Sequence, residues 1–123
     1  MTISVGFDGT CVTDDYPKVG KEVGAAEALR TLQKRGHKII LNTPRNNRAL
    51  ADAVKWFKTN GIKLEGLVML PKKGLSERIL CNIHADLIID RRAIGCPLIW
   101  GDHAKPYVDW VKVEELFAML DRE

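Results

Sequence analysis

Asp8, Gly9 and Thr10 follow a β-branched run and open the first of three short polar clusters able to handle an anion. Thr43, Pro44, Arg45 and Asn46 form the second, and Asp90 with Arg91 and Arg92 the third. Guanidinium forks match phosphate oxygens, and the first amides of a helix present unpaired N–H donors beside a positive dipole end. Thr43 and Arg45 stand where a helix begins, so they offer an anion site or ordinary capping, with Arg45 the preferred side-chain contact. Asp8 reads equally as a ligand contact and as a loop cap on the amides around Gly9 and Thr10. Lys73 joins the candidate contacts, although exposed cations such as Lys73 and Arg92 are mostly solvated. Trp100, in Trp-Gly-Asp-His, can stack on a base or pack structurally. His37 and His84 read as structural; His103, close to Trp100, is better placed for chemistry.

Periodicity predicts the elements that position these groups. Thr2 to Phe7 reads as a buried first strand, followed by a loop from Asp8 to Gly20 rich in Gly, Asp and Pro. Val23, Ala26, Leu29 and Leu32, with Ala25 and Ala28 beside them, give one apolar helical stripe that Gly36 ends. Ile39 to Leu41 is a second buried strand, and Asn46 or Asn47 caps a helix whose core positions are Leu50, Ala53, Val54 and Phe57. Short strands are expected around Leu67 to Leu70, Leu87 to Ile89 and Leu98 to Trp100, with an amphipathic stretch carrying Leu75, Ile79, Leu80 and Ile83. The last helix has core spacing at Val113, Leu116, Phe117 and Leu120. Trp56 and Trp110 read as packing residues.

Strands alternating with helices imply a Rossmann-like three-layer α/β/α fold with a mainly parallel sheet, as one domain over residues 1–123. Ligands in such folds sit at the carboxyl ends of the strands, where Asp8, Thr43, Asp90 and Trp100 are expected to converge.

At 123 residues the chain is long enough for a continuous core and too short for a separate lid domain. The hydrophobic share of 46% fits a globular protein, and no apolar run approaches the roughly 20 residues that span a bilayer. With no signal-peptide layout at the N-terminus, a cytoplasmic protein without membrane partners is the expectation. Three cysteines, Cys11, Cys81 and Cys96, include no Cys-x-x-Cys pair, which argues for buried free thiols rather than disulfides or a zinc knuckle. A net charge of +3, dispersed apart from Lys72-Lys73 and Arg91-Arg92, is too weak for a nucleic-acid polymer but compatible with a small anionic ligand.

Val5-Gly6-Phe7-Asp8-Gly9-Thr10 resembles the first motif of the haloacid-dehalogenase-like (HAD) phosphatases, Asp-x-Asp-Gly-Thr, with Gly6 in place of the nucleophilic aspartate. Ile40-Leu41-Asn42-Thr43-Pro44-Arg45 resembles the second motif, a strand ending in a hydroxyl that binds phosphate. Ala85-Asp86-Leu87-Ile88-Ile89-Asp90-Arg91-Arg92 resembles the fourth, in which a second aspartate usually stands where Arg91 is. The order of elements matches as well, so the resemblance covers nearly the whole chain and implies a HAD-like domain without a cap. In that family the first aspartate forms an aspartyl-phosphate and the second, matched by Asp8, protonates the leaving group. The third-motif lysine has no match at Asn82 or His84, leaving only the more distant Lys72 and Lys73.

Gly6 removes the nucleophile and one metal ligand of the family scheme. Asp90 and the Asp8 carbonyl remain, too few donors for a good Mg²⁺ site beside an arginine, so no cofactor is expected. The two replacements make the crevice about three charge units more positive than the family pattern. That favours conversion to direct anion binding over simple decay. The resemblance thus implies an inactive HAD-like protein that sequesters a phosphorylated small molecule, with a nucleotide-derived signal the foremost candidate. Such proteins resemble virus-encoded inhibitors of nucleotide-based immunity. The alternatives are a phosphatase with an unconventional nucleophile, such as water activated by Asp8, and a protein-interaction domain with no ligand. Capless relatives commonly assemble so that a neighbour covers the crevice, which implies a homo-oligomer.

Overall fold

The computed structural model describes residues 1–68, 84–101 and 105–120. Strand β1 (Thr2–Val5) lies at the centre of a four-stranded sheet of order β3-β2-β1-β4, with β2 at Lys38–Asn42, β3 at Leu64–Val68 and β4 at Leu87–Ile89. All three pairings are parallel. Ile3 and Val5 are fully buried, as are Ile39 and Leu41 beside them, as the apolar runs demand of a sheet with little solvent contact. The mainly parallel sheet with helices packed against it is a Rossmann-like α/β arrangement. Among the described residues no helix is long and apolar enough to cross a membrane.

Helix α1 (Ala25–Lys34) buries Ala25, Ala26, Ala28, Leu29 and Leu32, the stripe expected from the sequence. Its N-cap is Gly24, which has no side chain to offer, so the Glu22 carboxylate accepts the Gly24 and Ala26 amides instead. At the other end His37 N–H reaches the Leu32 carbonyl and Gly36 N–H that of Gln33, with Gly36 at φ +94. This paired closure is the Schellman pattern, and it needs a left-handed residue at Gly36. Helix α2 (Asn47–Thr59) closes the same way, through Ile62 N–H to Phe57, Gly61 N–H to Lys58 and Gly61 at φ +70. Ala53 and Phe57 are buried in α2, whereas Val54, expected in the core, is 36% exposed.

Two expectations fail after β4. Leu98 to Trp100 does not extend the parallel sheet: β5 (Leu98–Ile99) pairs antiparallel with β6 (Tyr107–Val108) in a separate ribbon. Only residues 90–97 separate β4 from β5, and a parallel neighbour needs a crossover of about a dozen residues or more. The chain instead turns at once, through Ala93 N–H to Asp90 and Cys96 N–H to Ala93. Helix α3 (Trp110–Leu120) buries Trp110, Val113 and Phe117, but Leu116 and Leu120 are exposed among the described residues, not core. Lys73, His103, Cys81 and the amphipathic stretch from Leu75 to Ile83 lie outside the described residues.

Candidate functional site

The chain runs outward from β1 to β2 and β3 and then returns to the opposite side of β1 at β4. That reversal places a crevice at the carboxyl ends of β1 and β4, where open α/β sheets take their ligands. A crevice of about 340 Å³ lies there. Gly6, Phe7 and Asp8 line it from β1, Asn42, Thr43 and Pro44 from β2, and Asp90, Arg91 and Arg92 from β4. The sequence thus brings together three of the four expected strand ends. Trp100, 74% exposed on the ribbon, does not border the crevice, because β5 left the sheet.

Gly6 is more than a missing side chain. A β-carbon there would stand 2.8 Å from Asp90 Oδ2 and 3.1 Å from Thr10 Oγ1, so the Asp90 carboxylate fills the space into which a residue-6 side chain would start. Asp90 is buried, and Arg92 holds both its oxygens: Nε donates to Oδ1 at 3.1 Å and Nη2 to Oδ2 at 3.0 Å, with the Arg92 amide also on Oδ1 at 2.9 Å. The carboxylate in turn holds the Arg92 guanidinium above its ordinary pKa through that hydrogen bond, against the opposing effect of burial. A Mg²⁺ ion does not fit this donor set, since the buried Asp90 carboxylate already carries a guanidinium on both oxygens. The described residues contain no group of three or more His, Cys, Asp or Glu side chains arranged to hold a metal ion.

Arg45, expected to reach a ligand, is committed elsewhere. Its side chain is fully buried, and Nε and Nη2 form a bidentate pair with Asp8 at 2.8 and 2.7 Å. Nη1 donates to the Pro17 and Ala49 carbonyls, and Nη2 also to that of Lys18. A guanidinium has five N–H donors, and these five bonds use them all. The Asp8 hydrogen bond raises the Arg45 pKa, more than burial lowers it. Arg45 therefore ties together the end of β1, the excursion at residues 14–20 and the first turn of α2. Its guanidinium carbon lies over both the Phe7 and the Tyr16 ring, 4.9 and 5.1 Å from their centroids.

The excursion is anchored at its ends, where Thr13 N–H donates to the Lys21 carbonyl and Lys21 N–H to Thr13 Oγ1. It brings Asp14 and Tyr16 to the crevice, two lining residues that sequence reasoning missed along with Lys105. Asp14 pairs with Arg91 Nη2 at 2.7 Å and Lys105 Nζ at 3.4 Å. Burial pushes the Asp14 carboxyl up, but the Arg91 bond and charge, the Tyr16 amide and Lys105 outweigh it and hold it below the usual carboxylate value. Arg91 reaches Asp14 across Gly9, which has φ +75; a β-carbon on Gly9 would fall 2.2 Å from Arg91 Cδ.

Thr10 is fully buried and accepts the Arg91 amide on its hydroxyl, and its carbonyl accepts Trp110 Nε1–H at 2.7 Å. Gly9 and Thr10 thus brace the crevice and do not line it. Thr43 does line it, buried, with its hydroxyl accepting the Arg45 amide at 3.2 Å. Asn46 occupies the N-cap of α2 but is exposed and makes no side-chain cap bond. Cys11 Sγ donates to the Gly6 carbonyl, and burial foremost pushes its thiol up. No periodicity marked Asp14, Tyr16 or Lys105: each becomes a site residue only through loop conformation.

Around the crevice, four cations (Arg45, Arg91, Arg92 and Lys105) face three carboxylates (Asp8, Asp14 and Asp90), an excess of one positive charge among the described residues. Neither a protein-family model nor a curated protein matches the chain. Among solved structures it is similar to one described as a conserved protein coded by a locus of Bacteroides thetaiotaomicron. The two are 32% identical over 98% of this chain and 92% of that one, with a TM-score of 0.74. At that identity over nearly the full length of both, the chain belongs to the same family as this conserved Bacteroides protein.

Proposed function

We propose that the crevice binds a phosphorylated small molecule directly, without a metal ion, and holds it without turning it over. The observation that carries this reading is that, among the described residues, every carboxylate of the crevice is already bound to arginine: Asp8 to Arg45, Asp14 to Arg91 and Asp90 to Arg92. A carboxylate with both oxygens on a guanidinium is a poor nucleophile and a poor base, because either role gives up charge-assisted hydrogen bonds. Asp8, the candidate activator of water in an enzyme reading, is in that state.

The cations are less fully used. A guanidinium offers five donors and an ammonium three, so Arg91 and Lys105, sharing the single carboxylate of Asp14, have donors over for an anion. Thr43 adds a hydroxyl from the opposite wall. Removing the nucleophile of a cooperating catalytic set costs on the order of 10⁶ in turnover. What the HAD resemblance leaves is occupancy, and sequestration of a phosphorylated signal is the use that occupancy alone serves. A homo-oligomer in which a second copy covers the open crevice belongs to the same reading, and light scattering above the 13.8 kDa monomer mass would support it.

The test pairs binding with turnover. Calorimetric titration with orthophosphate and a panel of phosphomonoesters should show saturable binding that weakens with salt. The same esters, incubated for hours with and without Mg²⁺, should be recovered intact. Phosphate release clearly above that of Asp8→Asn would overturn the inactive reading, and absence of binding to every anion would favour a protein-interaction domain.

A further inference from the structure

We infer that Tyr16 is a stacking platform for a planar ring, so that the ligand class is a nucleoside phosphate with its base on Tyr16 and its phosphate toward Arg91 and Lys105. The inference rests on the phosphate-binding reading above and deepens it. Tyr16 is 57% exposed yet borders the crevice. An exposed aromatic on a loop is unremarkable by itself; this one is held. The Arg45 guanidinium lies over it, 5.1 Å from its centroid, and is itself fixed by five hydrogen bonds and by a second ring contact, with Phe7. With the orientation already fixed, stacking a second ring on Tyr16 loses little conformational freedom.

Position and charge agree with this. Tyr16 lies two residues from Asp14, whose carboxylate accepts the Tyr16 amide at 3.4 Å and gathers Arg91 and Lys105. One short loop thus presents an aromatic face and, through Asp14, the cations of the crevice. The crevice volume of about 340 Å³ is at the small end of ligand sites, which run from roughly 300 to 1,000 Å³. A phosphate and sugar therefore occupy the interior and a base emerges at the rim, where Tyr16 stands. Trp100, the aromatic singled out by sequence, lies outside the crevice.

The experiment compares adenosine 5′-monophosphate, uridine 5′-monophosphate and ribose 5-phosphate on the wild-type protein, Tyr16→Ala and Tyr16→Phe. Stacking predicts that the nucleotides bind wild type about tenfold or more tightly than ribose 5-phosphate. Tyr16→Phe keeps that ratio and Tyr16→Ala brings it to about one, with ribose 5-phosphate affinity unchanged in all three. Equal loss for all probes in Tyr16→Ala, or no base preference in wild type, overturns the platform and leaves the anion reading standing. Failure of every probe to bind wild type removes both. Saturation-transfer NMR on the wild-type chain needs no variant: transfer from tyrosine ring protons to base protons is the expected result, and transfer to ribose alone counts against the platform.

Discussion

An oxygen of the Asp90 carboxylate lies 2.8 Å from the point where a β-carbon on Gly6 would stand. The space beside Gly6 is thus filled from the neighbouring strand, and Arg92 secures the filling group. Gly6→Asp is therefore expected to destabilise the protein, by about 1–3 kcal/mol from overpacking with like-charge repulsion from Asp90 added. It should not produce phosphatase turnover while Asp90 remains on Arg92. Combining it with Asp90→Gly should recover part of the stability. Denaturant unfolding of the single and double variants measures this, and a Gly6→Asp protein as stable as wild type would show that Asp90 moves aside freely.

Arg45 is expected to matter for folding before it matters for ligand. Truncating one partner of a buried ion pair strands the other, at a cost of about 3–5 kcal/mol, and Arg45 also satisfies three carbonyls. Arg45→Ala should approach that figure, with Arg45→Lys intermediate because an ammonium cannot reproduce the fork. Replacing both partners, as Asp8→Asn with Arg45→Met, should cost less than the sum of the single changes. A double-mutant cycle by urea unfolding checks this; strict additivity would mean that the pair is not coupled.

These two residues also show what sequence could reach. Asp8 and Arg45 were visible as strand-end polar groups, because apolar alternation marks where a buried strand stops. Their pairing across 37 positions was not visible, since side-chain direction at a strand end is decided by the loop that folds over it. The buried stripe of α1 is readable from spacing, and its closure from Gly36. The ribbon after β4 is not legible in the sequence, because Leu98 and Ile99 are as apolar as a core strand, while the constraint excluding them from the parallel sheet is connection length. Asp14 and Tyr16 sit in a polar loop with no period to read, and their role depends on Arg45 holding that loop in place.

Asp14 supplies a pH dependence. Its folded-state pKa lies below the ordinary carboxylate value, once Arg91 and Lys105 outweigh burial. The ionised form is thus favoured in the folded state. Its contribution is fully present above the unfolded value of about 3.9 and is lost as pH falls through the lower folded value. The stability difference between wild type and Asp14→Asn should be flat from about pH 5 to 8, at about 1–2 kcal/mol for a charge-assisted bond that is partly solvent-screened. Below about pH 4 it should shrink. Thermal unfolding of both proteins across that range tests the sign, and a difference that grows on acidification would contradict it.

Gly9 is held by two separable constraints. Its φ of +75 is costly for any residue with a β-carbon, and that β-carbon would fall 2.2 Å from Arg91 Cδ. Gly9→Ala in the wild-type background meets both, so the cost should exceed the roughly 1–2 kcal/mol of a left-handed non-glycine residue. In an Arg91→Ala background the steric part disappears, and Gly9→Ala should cost only the backbone term. The difference between the two measurements is the energy with which Arg91 is pressed onto Gly9 on its way to Asp14. If Gly9→Ala costs the same in both backgrounds, Arg91 swings away without penalty. The Arg91–Asp14 pair then contributes little to the shape of the crevice, and Lys105 is left as the cation to mutate first in binding experiments.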